Sequence, residues 1–148
     1  MEKNTSGVIA AVCISEAKGT AKKNVHTGVL REGHGLLQDA HAGNWHRQIS
    51  LLSVEKVEDF KNRGGHVVDG DFGENLLVRG IDLRCLPVGT RLRSGNVLLE
   101  VTQIGKECHA HCAIYHQVGD CIMPREGIFA KVLQGGPIAE GDELHVEA

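Results

Sequence analysis

Two thiols and two imidazoles fall within five residues in Lys106-Glu107-Cys108-His109-Ala110-His111-Cys112, where the strand-sized run Val97–Ile104 gives way to a loop. The thiolate is the nucleophilic and metal-ligating form of cysteine, and a nearby ammonium or imidazolium favours it. Lys106 supplies such a charge, which makes Cys108 the candidate reactive or ligating sulfur. Cys112, His109, His111, His116 and Cys121 stand close by as further donors. A structural zinc takes four nitrogen or sulfur ligands, commonly in pairs a few residues apart. In a helix Cys108 and Cys112 would share a face with both histidines pointing elsewhere; in a strand the cysteines would face one side and the histidines the other. Neither conformation gathers all four donors. The plain alternative is that Cys112 and Cys121 are buried as small apolar side chains.

Two other segments carry polar groups in positions that chemistry can use. Gly35-Leu36-Leu37-Gln38-Asp39-Ala40-His41-Ala42-Gly43-Asn44-Trp45-His46-Arg47-Gln48 precedes the apolar run Ile49-Ser50-Leu51-Leu52. Loops between core strands are where binding residues collect, because the scaffold fixes them while their tips stay wet. Against this stands a solvated loop in which Asp39 makes a local turn bond and His41 merely packs. In Asp69-Gly70-Asp71-Phe72-Gly73-Glu74-Asn75-Leu76 the spaced glycines permit left-handed backbone and expose amide donors. That segment lacks a phosphate-binding fingerprint, and an ordinary turn explains it equally well.

The elements that must position these loops are short. Nineteen glycines punctuate apolar segments of strand size: Val8–Ser15, Gln48–Leu52, Asn75–Val78, Thr90–Leu92, Val97–Ile104, Ile128–Leu133 and Glu143–Val146. Arg93-Ser94-Gly95-Asn96 and Glu140-Gly141-Asp142 read as turns. One helix is expected after Ser53 as cap, with Val54, Val57 and Phe60 on one face, Glu55 in the first turn and Gly64-Gly65 past its end. A shorter helix through Ala113–His116 is the second. Pro124 could open a helix, but strand from Ile128 is favoured. The expected architecture is mainly β, a barrel with a few short helices.

Composition narrows the function classes. A chain of 148 residues fits a single domain, 1–148, that buries roughly 70% of its extended surface. A net charge of -3 gives no reason to bind nucleic acid, and 3% aromatic content offers few stacking platforms for bases. The longest apolar runs are too short for a bilayer, and the first residues lack a signal peptide's pattern, so no membrane association is expected and the chain reads as cytoplasmic. With five cysteines at least one thiol stays unpaired, which favours catalytic or ligating roles over a disulfide framework.

Taken in order, Ile14-Ser15 with Lys18-Gly19, Gly35-Leu36 to Asp39, His41-Ala42-Gly43, Arg47-Gln48-Ile49-Ser50-Leu51, Phe72-Gly73-Glu74-Asn75-Leu76, Leu86-Pro87-Val88-Gly89, Val101-Thr102-Gln103, Cys108 and Gly135-Gly136 to Gly141-Asp142 resemble the MOSC domain, named for the C-terminal domain of molybdenum cofactor sulfurase. The resemblance runs from about Gly7 to Val146. Its most specific marks are the Phe72–Leu76 block and the cysteine after the Val-Thr-Gln strand. It implies a β-rich barrel and a role around molybdenum cofactor or sulfur transfer. It also implies that Cys108 is the functional thiol, while Cys112 has no general counterpart. Where the family usually reads Gly-Asp-Arg-His, this chain has Gln38-Asp39-Ala40-His41, so a guanidinium that could grip a phosphate is missing unless Arg47 or Lys22 substitutes.

The function expected on that resemblance is sulfur carriage as a Cys108 persulfide, or molybdenum ligation by Cys108, assisted by Lys106. His41, Arg47 and Asn75 would then line the pocket for molybdenum cofactor. The partners implied are a molybdopterin-type or sulfur-donor molecule and, by extension, cofactor enzymes; reduction of N-hydroxylated compounds through bound cofactor is also permitted. The alternative is a zinc- or cofactor-binding module without turnover, using Cys108, Cys112 and His109. Pyridoxal phosphate is not supported in this chain, since no lysine shows the desolvated pocket and phosphate cup that a Schiff base needs.

Overall fold

The computed structural model describes residues 5–17, 21–105 and 126–147. Apolar residues that alternate along short runs are expected to build a sheet with one face inward, and here that sheet closes on itself. Seven strands form the barrel: β1 (Ser6–Ile14), β5 (Ile49–Ser53), β6 (Leu76–Arg79), β7 (Arg91–Ser94), β8 (Val97–Ile104), β9 (Ile128–Gln134) and β11 (Glu143–Glu147). Around the barrel the order is β1, β11, β7, β8, β9, β5, β6 and back to β1. Neighbours are antiparallel except β5 and β6, which run parallel. Parallel neighbours need a crossover, and α1 (Val54–Asn62) lies within it. No helix among the described residues is long and apolar enough to cross a membrane.

The pleat divides the core in two. Ile9, Val12, Ile49, Leu51, Leu76, Val78, Leu99, Ile128, Ala130 and Val132 fill the barrel interior. Their neighbours Ala11, Cys13, Leu52, Leu77 and Phe129 face outward, where Val54, Val57 and Phe60 of α1 and Val67 and Phe72 of the next loop cover them. Strand β5 is therefore buried along its whole length, its two serines included. Phe60 meets Phe72 edge-on, with centroids 5.1 Å apart, and leaves no room for a side chain at Gly65, whose Cβ would lie 2.1 Å from the Phe60 ring.

The expected strands are present with ends shifted by a residue or two, and β8 matches its expected bounds. The β7–β8 hairpin turns at Gly95, whose φ of 58° suits a primed turn. Two corrections follow. Ser53 occupies the N-cap position of α1 but makes no capping bond; its hydroxyl instead donates to the Ile81 carbonyl at 2.9 Å. A second sheet, unforeseen, joins β10 (Gly136–Ala139), β3 (Thr27–Arg31) and β4 (Gly35–Leu36), while β2 (Lys23–Asn24) extends β1. These segments are short or carry glycine and Pro137, weak strand formers by composition. Pro137 sits on the edge strand β10, where a missing amide donor costs little. The helix expected through Ala113–His116 lies outside the described residues.

Candidate functional site

At one side of the barrel, Lys22, His41, Trp45 and Arg47 enclose a cavity with Ser50, Gly73, Asn75 and Phe129. As bounded by the described residues it measures about 240 Å³, below the ~300–1,000 Å³ of ordinary ligand cavities, so it suits one end of a ligand rather than the whole. The loop from β4 to β5 brings His41, Trp45 and Arg47; β5 brings Ser50, β9 brings Phe129, and the loop before β6 brings Gly73 and Asn75. The structure thus sets His41, Arg47 and Asn75, far apart in sequence, around one space.

Their roles differ. Arg47 Nε donates to Gln103 Oε1 at 3.0 Å, and the guanidinium lies 4.9 Å from the Phe129 ring centre and 6.0 Å from that of Trp45. Stacking and one anchored nitrogen hold the fork in place, and its two terminal nitrogens have no hydrogen-bond partner among the described residues. His46 also reaches Gln103 Oε1, at 2.9 Å. The end of β8 is therefore tied to the loop that carries Arg47.

Asn75 is a structural joint rather than an open contact. Its Nδ2 donates to the Cys13 carbonyl at 3.0 Å and to Asp39 Oδ2 at 3.1 Å; its Oδ1 accepts from the Ser50 amide at 2.9 Å and the Ser50 hydroxyl at 3.2 Å. One amide side chain links β1, β5 and the His41 loop. Asp39 makes no local turn bond with its carboxylate. It accepts from the Ser15 amide at 3.0 Å and from Lys22 Nζ at 2.7 Å.

Lys22 is the residue that sequence reasoning placed least well. Its side chain is 2% exposed, and the loop at Gly70 packs against its backbone, where a Cβ on Gly70 would lie 2.1 Å from the Lys22 carbonyl oxygen. Nothing in the local pattern marks Lys22 as buried; only the distant Asp39 does. A desolvated lysine therefore does exist beside the cavity, contrary to expectation. Its Nζ is ion-paired with Asp39 and also faces Ser15 Oγ and His41 Nδ1, so it holds no lone pair for a Schiff base.

The Asp69–Leu76 loop does adopt left-handed backbone at Gly70 and Gly73, with φ of 93° and 81°. Its amide donors are not exposed, however. Those of Gly70 and Phe72 are taken by Glu74, Oε2 and Oε1, each at 3.1 Å. Glu74 is wholly buried, and burial pushes its carboxyl up from 4.5 to about 7 despite those bonds. Burial likewise pushes the Cys13 thiol up, with Glu74 adding to it, which makes Cys13 an inert core sulfur.

Cys108, Lys106, Cys112 and His109 lie outside the described residues, as do His111, His116 and Cys121. Among the described residues no group of three or more His, Cys, Asp or Glu side chains is arranged to hold a metal ion.

The fold is similar to that of the YuaD protein from Bacillus subtilis, at 20% identity, with 99% of this chain and 98% of that chain covered and a TM-score of 0.80. It is also similar to YiiM from Geobacillus stearothermophilus, at 19% identity, 96% and 75% coverage and a TM-score of 0.70. For YiiM from Escherichia coli the values are 17%, 97% and 70%, and 0.63. No curated protein matches the sequence. The family model of the MOSC domain matches residues 38–145, which hold the His41–Arg47 loop, the Phe72–Leu76 block and Cys108, and the chain belongs to the MOSC domain family.

Proposed function

We propose that this protein works in molybdenum cofactor or sulfur transfer chemistry, with the cavity gripping an anionic group and Cys108 supplying the reactive sulfur. The observation that carries the reading is Arg47: a guanidinium lining the cavity beside Lys22 and His41, braced on Phe129, whose terminal nitrogens have no hydrogen-bond partner among the described residues. Such a fork suits the bidentate recognition of a phosphate. It supplies the guanidinium that Ala40 lacks, so the donor set fits the phosphate end of a pterin cofactor. When bound, that cofactor would supply a metal centre able to take a thiolate ligand or exchange sulfur.

Cys108 follows Gln103, which binds Arg47, by five residues in sequence. In the sulfur-carrying reading its thiolate attacks the outer sulfur of a persulfide donor. The donor's S–S bond breaks, its inner sulfur leaves as a thiolate, and Cys108 keeps the transferred sulfur as a persulfide. The same deprotonated sulfur would serve as a molybdenum ligand. Lys106 is assigned to favour the thiolate, and Cys112 is not required.

Mass spectrometry of protein treated with glutathione persulfide tests this. Wild type should gain one sulfur atom at Cys108, and Cys108→Ser, with Cys112 intact, should gain none. Equal loading of the two proteins, or no loading of wild type, overturns the assignment.

A further inference from the structure

Trp45 enters the cavity lining from the loop between β4 and β5, two residues before Arg47. Three contacts fix it there. The indole Nε1 donates to the His41 carbonyl at 3.0 Å, the Trp45 amide donates to the Gly43 carbonyl at 3.0 Å, and the His46 ring meets the indole edge-on with centroids 5.8 Å apart. An indole has one polar hydrogen, and here the main chain takes it. What the ring offers a ligand is therefore its π surface. Trp45 is nonetheless 45% exposed, whereas Phe129, the other aromatic residue lining the cavity among the described residues, is 7% exposed and lies under the Arg47 guanidinium. The guanidinium carbon stands 6.0 Å from the Trp45 ring centre, so one small molecule can touch both groups at once.

We infer that Trp45 is a specificity-determining residue, a stacking wall for a flat conjugated heterocycle whose phosphate is held by Arg47. The inference rests on the anion grip proposed above and adds the ligand class to it: a phosphorylated purine or pterin rather than a phosphorylated polyol or a bare oxyanion. A cavity of about 240 Å³ takes one end of a ligand, and the exposed indole supplies a surface on which the rest can lie. Complementarity selects the flat ring. A conjugated heterocycle covers the indole in offset stacking and gains dispersion over its whole face. A flexible polyol chain has no face to match it and would hold hydroxyls, stripped of water, against a wall whose one donor is already used. Guanine and pterin share an aminopyrimidinone ring, so guanosine monophosphate is a chemically matched probe.

Calorimetric titration of the full chain with guanosine monophosphate, hydroxymethylpterin phosphate and glycerol phosphate tests this. At least one heterocyclic phosphate should bind ~5-fold or more tighter than glycerol phosphate, the gain expected from one ring stacked on an aromatic side chain. The tighter of the two identifies the source of the ring. Trp45→Leu should bring that ratio close to one, and Trp45→Phe, which keeps a flat ring, should retain most of it. The ratio is the readout because a shift of Arg47 in a variant alters the grip on every phosphate alike. Trp45 is the only tryptophan of the chain, so wild-type fluorescence should change with the heterocycle and not with glycerol phosphate. Equal affinities in wild type, an unaltered ratio in Trp45→Leu, or fluorescence indifferent to a bound heterocycle overturns the inference. Should Trp45→Leu fail to fold, the wild-type ratio and fluorescence decide alone. Binding of all three phosphates without preference sinks the stacking wall and leaves the anion grip standing, whereas binding of none sinks both. Sulfur loading at Cys108 enters none of these measurements.

Discussion

Asn75 Nδ2 lies 3.1 Å from Asp39 Oδ2, a bond that joins the loop entering β6 to the loop that carries His41. Both side chains are buried, and Asp39 is in turn the counter-charge of Lys22. The Asn75 amide is thus one of three donors that hold Asp39, beside the Ser15 amide and Lys22 Nζ.

Asn75→Asp keeps the shape of that side chain while replacing the donor with an oxygen aimed at a carboxylate. Like charges this close in a buried site cannot both stay ionised. The expected cost at neutral pH is about 3 kcal/mol or more, and it should shrink as acid supplies a proton for the pair to share. Urea unfolding followed through Trp45, the only tryptophan of the chain, measures it. A neutral effect would show that the bond carries no load.

Glu74 gives a pH dependence of definite sign. Its carboxyl titrates at about 7 in the folded protein, against 4.5 when unperturbed. Between those values the folded chain holds a proton that the unfolded chain has released, so this group's contribution to stability is complete below pH 4.5 and is lost as pH rises to about 7. The loss amounts to up to ~3 kcal/mol. Glu74→Gln cannot titrate. The stability difference between wild type and variant should move in the variant's favour by that amount as pH is raised across the window. A difference independent of pH would contradict the assignment.

Gly70 and Gly73 separate two reasons for glycine. Both have positive φ, but a Cβ at Gly73 meets nothing within 4 Å, whereas at Gly70 it would meet the Lys22 carbonyl oxygen at 2.1 Å. Gly73→Ala should cost about 1–2 kcal/mol, the strain of left-handed backbone alone. Gly70→Ala should cost about 4 kcal/mol, because it must also displace the backbone of Lys22. Thermal unfolding of the pair tests the order; equal losses would mean that the close approach to Lys22 is not maintained.

Patterns of a few residues are what a sequence displays, and most of the barrel was legible in them. The β-branched or leucine-rich runs of strand length at β1, β8, β9 and β11, bounded by turn residues, and the spacing of Val54, Val57 and Phe60 on one helix face are local properties. His41, Arg47 and Asn75 were legible as polar residues in glycine-bounded loops. Their meeting, and the difference between an open Arg47 and a fully bonded Asn75, were not. Ser53 shows the same limit, since its cap position was readable but its true partner, Ile81, lies 28 residues away. The sheet of β3, β4 and β10 escaped notice because each strand is too short or too rich in glycine to declare itself without its neighbours. Lys22 was the least legible of all. A lysine's burial depends on a carboxylate 17 residues off that only the fold brings within 2.7 Å, and desolvated charge is stable only where such a partner is already in place.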